Sequence, residues 1–259
     1  MWTVVAGFAF QPETAMLRRL YEENLARRQR EYGAADARTA QAARDLGLFL
    51  NSSGDKVSAR RALAEAVRID EKALGATSPQ TLEDVSALAA ISPPAEAAPL
   101  LRRAAESPDP TIAGPALSSL AAMRKAAGDQ AGAAVLLRRA LEKAEMVSGK
   151  DGAIVALVLN ELAMAVPPEE GSALVERALK IGADGAAAGA LAGKLRASGD
   201  NAGAERLYRE ALAADQQILG PRHEQTRSHA RSLADLLRAT GRPQEAAAIE
   251  QQFNVARSR

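Results

Sequence analysis

An all-α solenoid of antiparallel helix pairs is the fold this sequence predicts, and three observations predict it. A phrase of Leu followed by Gly or Ala recurs six times, at Leu46-Gly47, Leu88-Ala89, Leu120-Ala121, Leu162-Ala163, Leu191-Ala192 and Leu233-Ala234. The intervals are 42, 32, 42, 29 and 42 residues, and self-similarity at such a period marks a stacked repeat. A second phrase answers each first one: a small residue, then six others, then Ala or Phe. It reads Ala59 to Ala66, Ala97 to Ala104, Ala133 to Ala140, Gly171 to Ala178, Ala204 to Ala211 and Ala246 to Phe253. Between the two phrases four of the six units carry a Gly turn, at Gly54-Asp55, Gly128-Asp129, Gly199-Asp200 and Gly241-Arg242, where Gly supplies a left-handed helix C-cap.

The first helix of each unit carries an apolar stripe at helical spacing, as in Leu46 and Leu50 or Leu233, Leu236 and Leu237, which faces a neighbouring helix. Small residues in both phrases let two antiparallel helices approach closely. Units two and four replace the Gly turn with Ser92-Pro93-Pro94 and Val166-Pro167-Pro168 and reach the second phrase four residues early, so one helical turn is deleted. Proline stops the shortened helix and occupies the first position of the next. Pro99 is tolerable only if its helix begins late or bends. In the fifth unit Gly185, Gly189 and Gly193 lie at four-residue intervals, at a cost of about 2–3 kcal/mol relative to alanines. Spacing by four places them on one face, which points to a close helix contact rather than a soft hinge.

Before the first unit, Ala15 to Glu31 reads as an additional helix without a partner. Residues 1–14 form an apolar N-terminal segment. Its first ten residues hold the only Trp and two of the four Phe and carry no charge, which fits either a clipped export signal ending near Gly7-Phe8-Ala9 or a cap over the first helix. The compartment is cytoplasmic under the second reading and exported under the first.

Composition narrows the function. Hydrophobic residues make up 47%, charged residues 25% and aromatic residues 3% of the 259. Lys plus Arg total 33 against 32 for Asp plus Glu, a balance that disfavours a nucleic-acid partner; repeat-wise reading of RNA would also need regular polar pairs that the uneven spacing lacks. The absence of Cys removes disulfides, thiolate metal sites and cysteine nucleophiles. No run approaches a membrane span of roughly 20 apolar residues; the longest, Ala153 to Val166, is broken by Asn160 and Glu161.

Catalytic readings fail on spacing. His223 and His229 are six apart, whereas two imidazoles on one helix face for a metal need i and i+4, so turn or core use is expected. The stretch Ala188 to Leu195, with Gly193-Lys194, lacks the Gly and Ser or Thr a phosphate loop needs. Glu22-Glu23 and Glu169-Glu170 read as helix surfaces and starts. No cofactor, metal or catalytic residue is expected, and the chain is not expected to be an enzyme.

The pattern resembles the tetratricopeptide repeat, in particular the 42-residue form of kinesin light chains. Three segments carry the resemblance: Leu20-Tyr21 through Tyr32-Gly33 to Thr39, Leu74-Gly75 through Ser78-Pro79 to Thr81, and Leu207-Tyr208 through Leu219-Gly220-Pro221-Arg222-His223 to Thr226. In each, Thr follows Gly by six residues. Ala204 to Ala246 matches nearly throughout, and the resemblance covers about residues 15–257, as six helix pairs after the additional helix. It implies a right-handed superhelix in which the helix before the Gly turn, helix A, lines a concave groove, while the helix after it, helix B, faces outward.

The resemblance further implies a non-catalytic scaffold that binds protein or peptide in the groove. In the family, Asn just before the Leu-Ala phrase holds the peptide backbone; Asn160 stands at such a place, against Asp45, Ala87, Ser119, Ala190 and Ser232 elsewhere. The expected lining is Arg44, Asp45, Asn51, Lys125, Asn160, Arg196, Arg231 and Arg238, with Glu161 and Asp235 as its other acids. This leans basic and favours an acidic peptide or a C-terminal carboxylate. Arg102-Arg103 and Arg138-Arg139, on B helices, read as solvent face. The competing reading is self-assembly, a homo-oligomer stacked through terminal helices at Ile249 to Val255.

Overall fold

The computed structural model describes residues 12–255; the apolar segment at the extreme N-terminus lies outside them, apart from its last residues. Thirteen helices and no strand occur among the described residues. They are α1 (Pro12–Tyr32), α2 (Ala37–Ser52), α3 (Lys56–Leu74), α4 (Pro79–Ile91), α5 (Pro94–Ala105), α6 (Pro110–Ala126), α7 (Gln130–Ser148), α8 (Ala153–Ala163), α9 (Pro168–Ile181), α10 (Ala186–Ala197), α11 (Asn201–Ile218), α12 (Glu224–Ala239) and α13 (Pro243–Phe253). The even-numbered helices are the A helices; the odd-numbered ones from α3 onward are the B helices. The chain divides into two compact units, one ending at Ala116 and one beginning at Leu117, within α6.

The four Gly turns share one hydrogen-bond pattern. Asp55, Asp129, Asp200 and Arg242 donate their N–H groups to carbonyls five residues back, at 2.8–2.9 Å, while the preceding glycines donate to carbonyls three residues back, at 3.0–3.1 Å. This is the Schellman arrangement, which requires positive φ at its C′ residue; Gly199, for example, has φ +92°. The following Asp then caps the B helix. Asp55, Asp129 and Asp200 accept from Ser58, Gly132 and Gly203 N–H at 3.1, 2.8 and 2.9 Å. One dipeptide thus closes helix A and opens helix B.

The Gly-to-Thr spacing also has a physical cause. Thr39, Thr81 and Thr226 are fully buried, and each donates its hydroxyl to the carbonyl of Gly33, Gly75 or Gly220 at 2.8 Å. Each pair pins the connection into the following A helix, and the hydroxyl stays satisfied inside the core.

Shortened pairs behave as the prolines require. α4 has 13 residues and α8 has 11, against 16 for α2 and α12. Pro94 and Pro168 open the following helices. Gly171 replaces Ala where α8 and α9 meet because a Cβ there would stand 2.8 Å from the Ala163 carbonyl oxygen. Pro99 departs from expectation: α5 begins at Pro94 and keeps Pro99 in its interior. Pro99 and Ala95 are both exposed, so water can satisfy the Ala95 carbonyl that lost its donor.

The glycine series is only partly a contact ridge. Gly185 is the N-cap of α10 rather than an interior residue, and a Cβ on it would meet the Ala211 carbonyl oxygen at 2.4 Å. A Cβ on Gly189 would stand 2.1 Å from His229 Nε2, whereas at Gly193 the nearest atom would be the Tyr208 hydroxyl at 3.6 Å, an ordinary contact.

Alanine and leucine fill the core. In the second unit Leu191, Leu207, Leu233, Leu236 and Leu237 are fully buried, and Phe253 and Val255 pack with them. In the first, Leu46, Leu50 and Ala59 are joined by Tyr21 and Leu25 from α1, Tyr21 stacking on Phe49 with ring centroids 4.9 Å apart. The additional helix is therefore docked on α2.

Candidate peptide-binding face

The proposed lining residues fall into different environments. Arg44 is only 19% exposed and turns into the first unit. It pairs with the buried Asp84, with Glu83 at 3.2 Å, and with the Gln80 carbonyl at 3.4 Å. Arg238 pairs with Glu250 and with Asp235 at 3.3 Å; Arg231 pairs with Glu224 at 2.8 Å. Asp45, Asn51 and Lys125 are half-buried, and Arg196 is exposed. Three of the five expected cations are thus neutralised within the fold, which removes most of the basic lean.

Register refines the expectation at Asn160. Counted from Leu162, the residue just before the phrase is Glu161, and Glu161 is exposed while Asn160 is half-buried. Glu161 is reached by water yet closely surrounded by protein. The resulting desolvation pushes its carboxyl above the usual range, against the pull of Lys125, as for a group set in a depression.

The residues missed from sequence are apolar. On α8, Leu157 is 65% and Ile154 48% exposed, while Val155, Val158, Leu159 and Leu162 are buried on the opposite side. Leu157 and Glu161 lie one turn apart on a single face, and Met164 follows. At the matching repeat positions α10 presents Ala186, Ala190 and Gly193, and α6 presents Pro115, Ser119 and Ala122. The exposed apolar stripe of α8 is thus bulkier than the matching face of α10. The signal was in the sequence: Ala153 to Leu159 has no polar side chain, more than an amphipathic helix needs to bury one face.

Within each unit, successive B helices are cross-linked. Arg103 on α5 donates to Glu71 on α3 at 2.5 Å and to the Ala76 carbonyl at 2.6 Å. Arg177 on α9 repeats this with Glu145 at 2.6 Å and the Lys150 carbonyl at 2.9 Å. Arg138 bridges to Glu170 at 2.7 Å and Arg206 to Glu176. Arg103 and Arg138 are therefore clamps between successive B helices rather than simple solvent face, although partly exposed pairs each contribute only about 0–1 kcal/mol.

Both histidines serve the fold. His223 is the N-cap of α12, accepting from Gln225 N–H at 3.3 Å. His229 places Nδ1 2.8 Å from Oδ2 of the buried Asp215. Its Nε2 lies against α10 at Gly189, where a Cβ would clash with it. No group of three or more metal-ligating side chains occurs among the described residues.

Two family models, each described as the tetratricopeptide repeat, match residues 39–80 and 185–252. The chain is a tetratricopeptide-repeat protein. No curated protein matches it at the level of sequence. Among solved structures it is similar to pilF of Pseudomonas aeruginosa, with 17% identity, TM-score 0.55, and coverage of 83% of this chain and 90% of that one. BtubC (BKLC) from P. vanneervenii shares 19% identity over 95% of this chain and 90% of its own, with TM-score 0.47. A kinesin light chain-type protein of nearly identical TPR-like repeats from Podosopora anserina also shares 19% identity, over 83% and 92%, with TM-score 0.40. The pilF likeness shows the solenoid fold. Tetratricopeptide-repeat proteins are, as a class, protein-interaction scaffolds, and no helix among the described residues of this one is long and apolar enough to cross a membrane.

Proposed function

We propose that this tetratricopeptide-repeat protein is a non-catalytic scaffold that binds an extended or helical peptide along the A helices of its second unit, with α8 as the anchor. The observation that carries this reading is the exposed Leu157 stripe. An apolar side chain left 65% exposed on a helix whose other faces are packed contributes nothing to the core, and clustered exposed apolar residues mark interaction sites. Ile154, Leu157 and Met164 offer an apolar strip to a partner's hydrophobic side chain. Glu161 and Lys125 flank it with opposite charges, and Arg196 adds an exposed cation further along. Charge here sets register more than affinity.

An acidic peptide or a C-terminal carboxylate remains the finer reading for the Arg196 end, while Glu161 favours a basic or polar residue beside the apolar anchor. Stacking of copies through the C-terminus has less support, because Phe253 and Val255 are already buried in their own unit.

The test is selection from a peptide library on the full chain, followed by titration of the selected sequences. Typical affinities for such a groove are about micromolar, near 8 kcal/mol. Leu157→Asp is expected to weaken binding at least tenfold, while Gln251→Glu on α13, away from the strip, leaves it unchanged. Binding that survives Leu157→Asp and Ile154→Asp together would move the site to another face.

A further inference from the structure

Two repeats place an aspartate at the same buried position and treat it differently. Asp70 and Asp215 each stand five residues before a turn glycine, Gly75 or Gly220, and Asp84 and His229 each stand nine residues after it. Each pair therefore joins a B helix to the next A helix at an equivalent point: Asp70 on α3 to Asp84 on α4, and Asp215 on α11 to His229 on α12.

Asp215 is fully supplied with donors. Its Oδ1 accepts from Gly185 N–H at 2.7 Å and from Gln225 Nε2 at 2.9 Å, and its Oδ2 faces His229 Nδ1 at 2.8 Å. Asp70 has no such supply. Both Asp70 and Asp84 are 0% exposed, and both oxygens of Asp70 and Oδ2 of Asp84 lack a hydrogen-bond donor. Only Oδ1 of Asp84 is engaged, by Arg44 Nε. The groups facing this node are Arg44 from α2, Asp70 from α3, and Asp84 and Glu83 from α4; Glu83 is largely solvated, and the adjacent Glu71 is taken by Arg103 of α5. Two buried carboxylates against one guanidinium would leave an uncompensated charge and three orphaned oxygens, each costly in a core.

One proton removes the uncompensated charge and pairs two of the three oxygens. A carboxylic acid is a donor as well as an acceptor, so a protonated Asp84 does for Asp70 what His229 does for Asp215. It also leaves one negative charge opposite Arg44. We propose that Asp70 and Asp84 share a single proton in the folded first unit, and that this proton makes the contact of α4 with α3 a pH-operated joint. Burial raises both carboxyls, that of Asp84 to about 7, against the opposing pull of Arg44.

The sign follows from linkage. The folded pair binds a proton that the unfolded chain, with carboxyls near 4, releases. Its stabilising effect is complete below about pH 4, declines as pH rises toward 7, and is gone above. In that window the unfolding equilibrium constant gains up to about tenfold per pH unit from this proton.

The experiment compares the full chain with Asp84→Asn, whose amide is a permanent donor, by urea unfolding at pH 5, 6, 7 and 8. Hydrogen-exchange mass spectrometry of the α3–α4 segment assigns the transition to the first unit. Asp84→Asn is expected to resemble the native chain at pH 5 and to exceed it in stability at pH 8, with a flatter profile. Parallel profiles would overturn the proposal. A second readout needs no variant: infrared spectra of the native chain near pH 6 should contain a protonated-carboxyl band that titrates away toward pH 8, is lost in Asp70→Asn, and whose absence would equally overturn the proposal.

Discussion

Oδ1 of Asp215 accepts the N–H of Gly185 at 2.7 Å across 30 residues of sequence. This bond ties the end of α11 to the start of α10, and both groups are buried. Gly185 has no side-chain cap of its own, so Asp215 caps α10 from a different helix. The same carboxylate receives Gln225 and His229 of α12. One side chain thus fixes three helices of the last two pairs.

Asp215→Ala should therefore cost more than a surface cap. It leaves a buried N–H and a largely buried imidazole without their acceptor, at about 1–3 kcal/mol for each orphaned group. Urea denaturation should show a loss of about 2–4 kcal/mol for the second unit. A loss under about 0.5 kcal/mol, the size of an ordinary surface change, would mean that water replaces the carboxylate.

Gly189 and Gly193 separate contact from flexibility. Gly189→Ala drives a Cβ to within 2.1 Å of His229 Nε2, and overpacking of this kind costs about 1–3 kcal/mol. Gly193→Ala meets only the Tyr208 hydroxyl at 3.6 Å and should stabilise by about 0.5–1 kcal/mol, since Ala is the better helix former. Thermal melts of the two variants should move in opposite directions. Stabilisation by both would restore the hinge reading of the whole series, and destabilisation by both would extend the contact ridge to Gly193.

Much of this was legible in the sequence because the repeat writes its packing in small residues and its turns in glycine. Leu46-Gly47 announced a close approach, and a Cβ on Gly47 would meet Leu63 at 2.7 Å. The Schellman turns and the proline-shortened pairs follow local rules that act within a few residues. The site was less legible because the fate of a charged side chain depends on what another helix brings to it. Arg44 reads as a groove cation until Asp84, 40 residues on, captures it, whereas the one-residue step from Asn160 to Glu161 can be counted from Leu162 and burial agrees with the count. Asp70 and Asp84 give no local sign of facing one another. Leu157 was hidden in an apolar run whose period could not say which residues had no neighbour.

The Gly-Asp turns carry a measurable share of each pair. Asp129 accepts from Gly132 N–H at 2.8 Å at the start of α7, and Asp200 does the same for Gly203 at 2.9 Å on α11. Replacing either by Ala should cost about 1 kcal/mol, and by Ser about half of that or less, as the shorter hydroxyl still caps. A loss in Asp200→Ser equal to that in Asp200→Ala, measured by denaturant midpoint at constant slope, would show that the carboxylate acts through charge at the helix N-terminus rather than as an acceptor.

Leu157 and Leu159 are the same residue two positions apart on α8, one 65% exposed and the other fully buried. Leu159→Ala empties a packed position among the helices and should cost about 2–5 kcal/mol. Leu157→Ala removes nothing from the core and should leave stability within about 0.5 kcal/mol, while weakening any peptide seated on the strip. Stability by urea denaturation and affinity by titration should therefore dissociate at Leu157. If Leu157→Ala instead destabilises the chain by more than about 1 kcal/mol, its side chain packs in solution against its own molecule. The exposed stripe would then be covered by the protein itself, leaving α8 with no anchor to offer a partner.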